Sequence, residues 1–143
     1  MIYPKNKKIS QPAFKKSVWK IFSEYIRLKE CIETTGTPDF GICCSCGQTV
    51  EYKNLQAGHF ISGRTNSVLF DECLVHIQCV QCNIYKHGNY IEYEFYMINR
   101  YGKKQVEQFK ILKNIKKSLK VFELIAIEQY YKKQLLKLKQ NIF

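Results

Sequence analysis

The chain has 143 residues, 45% apolar and 14% aromatic, which excludes a mainly disordered polypeptide and fits one domain with a modest core. Its formal charge of +11 comes from 23 basic residues, of which only Arg27, Arg64 and Arg100 are arginine. Lysine is a point charge for phosphate rather than a reader of base edges, so this balance predicts sequence-independent, salt-sensitive contact with nucleic acid; a lysine-biased composition that decorates any surface is the plainer alternative.

Residues 1–11 are lysine-rich and aperiodic, which predicts a mobile arm ahead of a single domain over 12–143. Over 12–34, Phe14, Val18, Ile21, Phe22, Tyr25, Ile26 and Leu28 recur at helical spacing, with Ser10 as a cap and Pro12 in the first turn. Gly36 and Pro38 break this helix before Cys43-x2-Cys46, where Gly47 suits a tight turn. Segments 48–53 and 56–61 read as two short strands forming a hairpin edge that presents His59. A polar loop over 62–67 leads to a strand or extended segment at Leu74-Val75-His76-Ile77. A helix is expected over 80–86, its amino terminus favouring anions and Gly88 ending it. Segments 90–99, 103–115 and 118–139 are predicted helical. The last carries an apolar stripe of Leu119, Phe122, Ile125, Ile127, Tyr130, Leu135 and Leu138, expected to pack on its own domain rather than on another subunit. The fold class is α+β. No amino-terminal apolar segment or long apolar run occurs, which predicts a cytoplasmic chain that crosses no membrane.

Seven cysteines is an odd number, and in a reducing compartment the two x2 pairs read as metal ligands rather than disulfides. Cys43, Cys46, Cys79 and Cys82 can close a tetrahedral Zn2+ shell that staples the fold. Cys44 could replace Cys43, but only Cys43 has the matching spacing; Cys31 and Cys73 read as small buried hydrophobes. Between the knuckles lies His59, and directly after the last cysteine lies Asn83. Cleaving a phosphodiester needs an activated water and stabilisation of charge on the phosphoryl and leaving oxygens, and a histidine titrating near neutrality is a fitting base. His59 is therefore the candidate catalytic residue. Asn83 offers an oxygen to Mg2+ or Mn2+. His87, four residues later on one helix face, and His76, three residues before Cys79, are further candidate ligands to that ion. The plainer readings are a solvated His87 and a packed His76.

The strings Ala57-Gly58-His59-Phe60, Cys79-Val80-Gln81-Cys82-Asn83 and Gly88-Asn89, with Gln78, Arg100-Tyr101-Gly102 and Tyr130-Tyr131-Lys132, resemble the NinG, or Rap, recombination endonucleases of lambdoid phages. The likeness implies a zinc-stapled ββα-metal core (HNH, treble-clef-like) over 42–89, between an amino-terminal helix and a helical region over 90–143. It implies metal-dependent nicking of branched DNA, Holliday junctions and D-loops, in the host cytoplasm. His59 would be the general base, the four cysteines the structural zinc site and Asn83 a metal position. Arg64, Lys86 and Arg100 are the candidate DNA contacts. Resolving a four-way junction takes two opposed nicks, which makes a homodimer plausible. Two departures stand out. Gly58 occupies a position where many such nucleases carry a metal-binding side chain, and Leu74 falls where an asparagine braces the loop, leaving His76 or Asn66 for that task. These departures favour the rival expectation of a non-catalytic zinc-containing nucleic-acid-binding module. A third expectation is a protein-interaction adaptor that uses the carboxy-terminal stripe.

Overall fold

The computed structural model describes residues 10–62 and 68–142. Most of the expected arm, together with Arg64 and Asn66, lies outside the described residues. Helix α1 spans Gln11–Thr35. It starts where Ser10 Oγ accepts from the Ala13 amide, with Pro12 in the first turn, where a missing N–H costs nothing. It stops at Gly36, whose φ of 75° lets its N–H return to the Ile32 carbonyl. The buried face carries Val18, Phe22, Ile26, Leu28 and Cys31, the spacing expected of an amphipathic helix on a core.

Strands β1 (Phe40–Ile42) and β2 (Thr49–Glu51) form an antiparallel hairpin whose turn is the first cysteine knuckle. Strands β3 (Leu55–His59) and β4 (Val75–Cys79) form a second antiparallel pair, with Gly58 opposite His76 and His59 opposite Val75. The two expected strands after the first knuckle therefore exist, but they pair with other partners. The reason is local: the Cys43 to Gly47 knuckle is itself a tight turn, closed by the Gly47 amide on the Cys43 carbonyl and the Cys43 amide on the Gln48 carbonyl. That turn folds β2 back onto β1 and leaves β3 to pair with β4.

After β4 the expected helix is a single π turn, Gln81–Tyr85. His87 and Asn89 have φ of 49° and 45°, and Gly88 has 96°, so three successive residues leave the right-handed helical region and the helix cannot continue. Helices α2 (Tyr90–Tyr101), α3 (Lys103–Ile111) and α4 (Val121–Ile142) complete the chain. Helix α4 packs along α1, and Tyr131 joins Phe22, Ile26, Leu55, Val75 and Ile77 in one core. A second core gathers Phe60, Ile61, Leu74, Tyr93, Met97 and Val106 beneath α2 and α3. On α4 the inward positions are Leu124, Ile127, Tyr131 and Leu135, whereas Phe122 and Tyr130 face solvent. The expected intramolecular packing is found, on a helix face rotated from the expected one. Among the described residues, no helix is long and apolar enough to cross a membrane.

Candidate metal centre and the His59 cleft

The ligand sulfurs of Cys43, Cys46, Cys79 and Cys82 all lie within 4.8 Å of one another. Cys46 Sγ and Cys79 Sγ are 3.8 Å apart. Four sulfurs each about 2.3 Å from a zinc ion define a tetrahedron with an edge of about 3.8 Å, so the cluster has the size and the soft donor set that Zn2+ requires. The second knuckle is held by the Cys82 amide, which points at Cys79 Sγ at 3.4 Å, and by Asn89 Nδ2, which donates to Cys82 Sγ at 3.4 Å. Cys44 turns away from the cluster, bonds Ser45 Oγ and packs against the second core, and burial pushes its thiol up. Cys31 is a core residue whose thiol burial pushes up to about 11, an inert small hydrophobe as expected.

His59 closes β3. Its Nε2 lies 3.2 Å from the Leu69 carbonyl oxygen, and its ring stacks on Trp19 of α1 with centroids 4.7 Å apart and planes at 22°. A carbonyl only accepts, so Nε2 is the donor in this bond. The imidazole lines an open cleft of about 610 Å³ with Trp19, Arg27, Lys53, Gln56 and Asn83. A smaller cavity of about 200 Å³ is also lined by His59 and Asn83, and there His87 and Ser62 join them. His59, Asn83 and His87 are thus brought together. The route differs from the expected helix face: Asn83 lies in the π turn, while exposed His87 reaches the cavity from the left-handed segment after it. Asn83 Nδ2 donates to Gln56 Oε1 at 2.7 Å, which leaves Oδ1 turned toward Gly58. A Cβ on residue 58 would stand 1.9 Å from Gln78 Oε1, so a side chain there would have to displace the buried Gln78 amide.

His76 is not part of this cleft. It is 1% exposed, its Nδ1 meets Glu30 Oε1 at 2.5 Å, and its Nε2 faces the Cys73 carbonyl at 3.0 Å and the Tyr101 hydroxyl at 3.2 Å. With both ring nitrogens engaged in the interior, no lone pair is left for the ion, which corrects its expected metal role. It braces the loop instead, the task that Leu74 cannot perform because its side chain is buried in the second core. Arg100 lies at the end of α2, donates to the Tyr96 hydroxyl at 2.9 Å, and does not line the cleft. Lys86 is exposed beside His87.

One wall of the cleft has no counterpart among the residues expected from sequence. Trp19, Ser23 and Arg27 are spaced by four on α1, so a line of polar and aromatic groups runs beside the apolar face. Arg27 Nε donates to the Ser23 carbonyl at 3.1 Å and its guanidinium stands 4.9 Å over the Tyr52 ring, so the charge is held in place. That i, i+4, i+8 line was the available signal.

These features define a mixed helix and small-sheet domain, built around a four-cysteine cluster suited to zinc, with a histidine cleft beside it. The chain belongs to the NinG family: the model described as "NinG: Bacteriophage Lambda NinG protein" matches residues 4–141. It is similar to "Protein ninG" of Escherichia phage 933W, 34% identical over 100 residues that cover 69% of this chain and 49% of that protein. "Protein ninG" of Escherichia phage lambda is 31% identical over 100 residues, covering 69% of this chain and 48% of that protein. "Protein ninG" of Salmonella phage P22 is 37% identical over 67 residues, covering 46% of this chain and 32% of that protein. The chain spans about half the length of the first of these relatives. No solved structure matches.

Proposed function

We propose that the chain is a metal-dependent endonuclease of HNH (ββα-metal) type that nicks structured or branched DNA during phage recombination. The observation that carries this reading is the meeting of His59 and Asn83 in one cleft, from a strand end and from the turn after the second knuckle. The order β3, loop, β4, turn supports a ββα arrangement, with zinc in a structural role at the four cysteines. His59 Nδ1 takes the proton from the attacking water while the Leu69 carbonyl holds the ring through Nε2. Trp19 restrains the ring plane. Arg27 and Lys53 offer positive charge to phosphates entering the cleft. Asn83 and His87, which line the smaller cavity together with His59, would hold Mg2+ or Mn2+ in this reading. When bound, such an ion stabilises charge on the scissile phosphate and on the leaving oxygen. Holliday junctions and D-loops are the substrates this reading expects, with a homodimer delivering two opposed nicks in the host cytoplasm.

Nicking of four-way junction and linear duplex DNA of equal length, with and without Mn2+, tests the proposal beside the His59→Ala variant. The expected result is metal-dependent nicking, stronger on the junction, that the variant loses while keeping its zinc and its DNA affinity. Retained nicking by His59→Ala would sink the mechanism. The second reading, a zinc-containing module that binds nucleic acid without cutting it, is favoured by the absence of a ligand side chain at Gly58. It expects salt-sensitive DNA binding and no nicking with any divalent ion.

A further inference from the structure

We infer that Ile84 and Tyr85 read the branch in the DNA: they form an apolar wedge at the edge of the His59 cleft that packs on bases left unstacked where duplex arms diverge. Both side chains belong to the π turn Gln81–Tyr85, directly after Asn83. Ile84 is 51% exposed and Tyr85 69%, and Ile84 lines the cleft together with His59, Arg27, Lys53 and Asn83. A single exposed apolar residue needs no explanation, but two in succession at the wall of a polar cleft do.

The turn that carries them is fixed. The Lys86 amide returns to the Gln81 carbonyl, the Gly88 amide to the Cys82 carbonyl and the Asn89 amide to the Lys86 carbonyl, each at 2.9 Å. Gln78 Nε2 donates to the Gly88 carbonyl and Asn89 Nδ2 to Cys82 Sγ, so the turn is fastened to β4 and to the cysteine cluster. Ile84 and Tyr85 are therefore held toward solvent by an ordered backbone, which lowers the ordering cost of binding a partner there.

The charge around the pair selects that partner. Arg27 and Lys53 line the same cleft as Ile84, and exposed Lys86 and His87 follow Tyr85 in the chain. Cationic side chains interleaved with an aromatic ring fit a nucleic-acid strand, whose phosphates meet the charges and whose bases meet the ring. A continuous duplex keeps its base faces stacked, and against it the pair gains nothing. At a branch point the stack is interrupted, and apolar side chains replace the contacts that the bases have lost. Tyr85 suits this task, with a flat ring to stack and a hydroxyl at its wet end. Ile84, in the cleft wall itself, sets where the unstacked base lies relative to the phosphate that enters beside His59. A protein interface is depleted of lysine at its centre and takes many more residues than two, so a protein fits this pair less well.

This inference rests on the reading of the His59 cleft as the place where structured DNA is cut. Its test reads binding, so a chain that prefers junctions but never nicks would sink the nuclease reading and leave this measurement standing. Fluorescence anisotropy of the zinc-loaded full chain, without added divalent cation, compares a four-way junction with continuous duplex of equal length at one salt concentration. The native chain is expected to favour the junction roughly tenfold or more, and the double variant Ile84→Ala, Tyr85→Ala to lower that ratio roughly fivefold or more. Tyr85→Phe is expected to keep the ratio, because the ring remains. Should the double variant lose its zinc, Tyr85→Ala alone decides, with a fall in the ratio of roughly threefold or more expected. A native chain with no preference for the junction overturns the inference, as does a fall in the ratio with Tyr85→Phe, which would assign the effect to the hydroxyl. A double variant that keeps its zinc and the native ratio also overturns it. Unchanged affinities would then leave the pair to a protein partner, and an equal fall in both would make it a general DNA contact.

Discussion

The hydroxyl of Tyr93 donates to the Gly58 carbonyl at 2.7 Å, and it accepts from the His76 amide at 2.9 Å. Gly58 and His76 face each other across β3 and β4, so one phenol on α2 ties both strands together one residue before His59. Tyr93 is fully buried, and burial pushes its hydroxyl well above the usual tyrosine range, so it stays a neutral donor. Replacing it with phenylalanine keeps the packing but leaves a buried carbonyl and a buried amide without this partner. Tyr93→Phe is expected to cost about 1–3 kcal/mol, read from urea unfolding of the zinc-loaded chain. A variant as stable as the native chain would show that the two backbone groups are satisfied without the phenol.

Trp19 holds the His59 imidazole from α1 by stacking on its face. Trp19→Ala is expected to lower single-turnover nicking roughly tenfold to a hundredfold, because a loosened imidazole is less often in line with the water. Zinc content should not change, since the hydrophobic side chain packed against the cysteine cluster is Val50. Equal nicking rates would remove Trp19 from the site.

Glu30 is 3% exposed and serves two partners, the His76 ring through Oε1 and the Ile77 amide through Oε2 at 2.9 Å. Truncating it strands buried polar groups on β4. Glu30→Ala is expected to destabilise the domain by about 3–5 kcal/mol, the range seen when one member of a buried pair is lost. His76→Ala should likewise lower the melting temperature, with Mn2+ affinity as in the native chain. A large loss of Mn2+ affinity in folded His76→Ala would restore its metal role.

Zinc removal tests the staple. One zinc per chain is expected by elemental analysis, and prolonged chelation should abolish the cooperative thermal transition, because binding free energy at such a site is folding free energy. Cys43→Ser should do the same. A chelated chain that melts as before would leave the four cysteines without a structural task.

Arg27 and Lys53 both line the cleft, one anchored over Tyr52 and the other paired with Glu51 at 3.2 Å. Each single alanine variant is expected to weaken DNA binding for all sequences alike. Each should also reduce the slope of log affinity against log salt by roughly 1, as removal of one phosphate contact does. Fluorescence anisotropy over a salt series measures both. An unchanged slope would place the DNA elsewhere on the surface.

The amino-acid sequence by itself determined the four-cysteine cluster, α1 with its cap and stop, the three carboxy-terminal helices and the candidates His59 and Asn83. These come from short-range rules: an x2 spacing aims two sulfurs at one point, and a 3.6-residue period marks one helix face whatever surrounds it. Only the tertiary structure decided which strands pair, because β2 and β3 are equally plausible partners in one dimension and the knuckle turn chooses between them. It alone separated the three histidines. His76 is claimed by Glu30 of α1, 46 residues earlier in the chain, and Trp19 and Arg27 reach the cleft from the same helix. The burial of Gln78 against Gly58 was equally out of reach, since it depends on β3 and β4 being folded together. Local spacing records where ligands can converge; burial and charge, which choose among them, are properties of the folded neighbourhood.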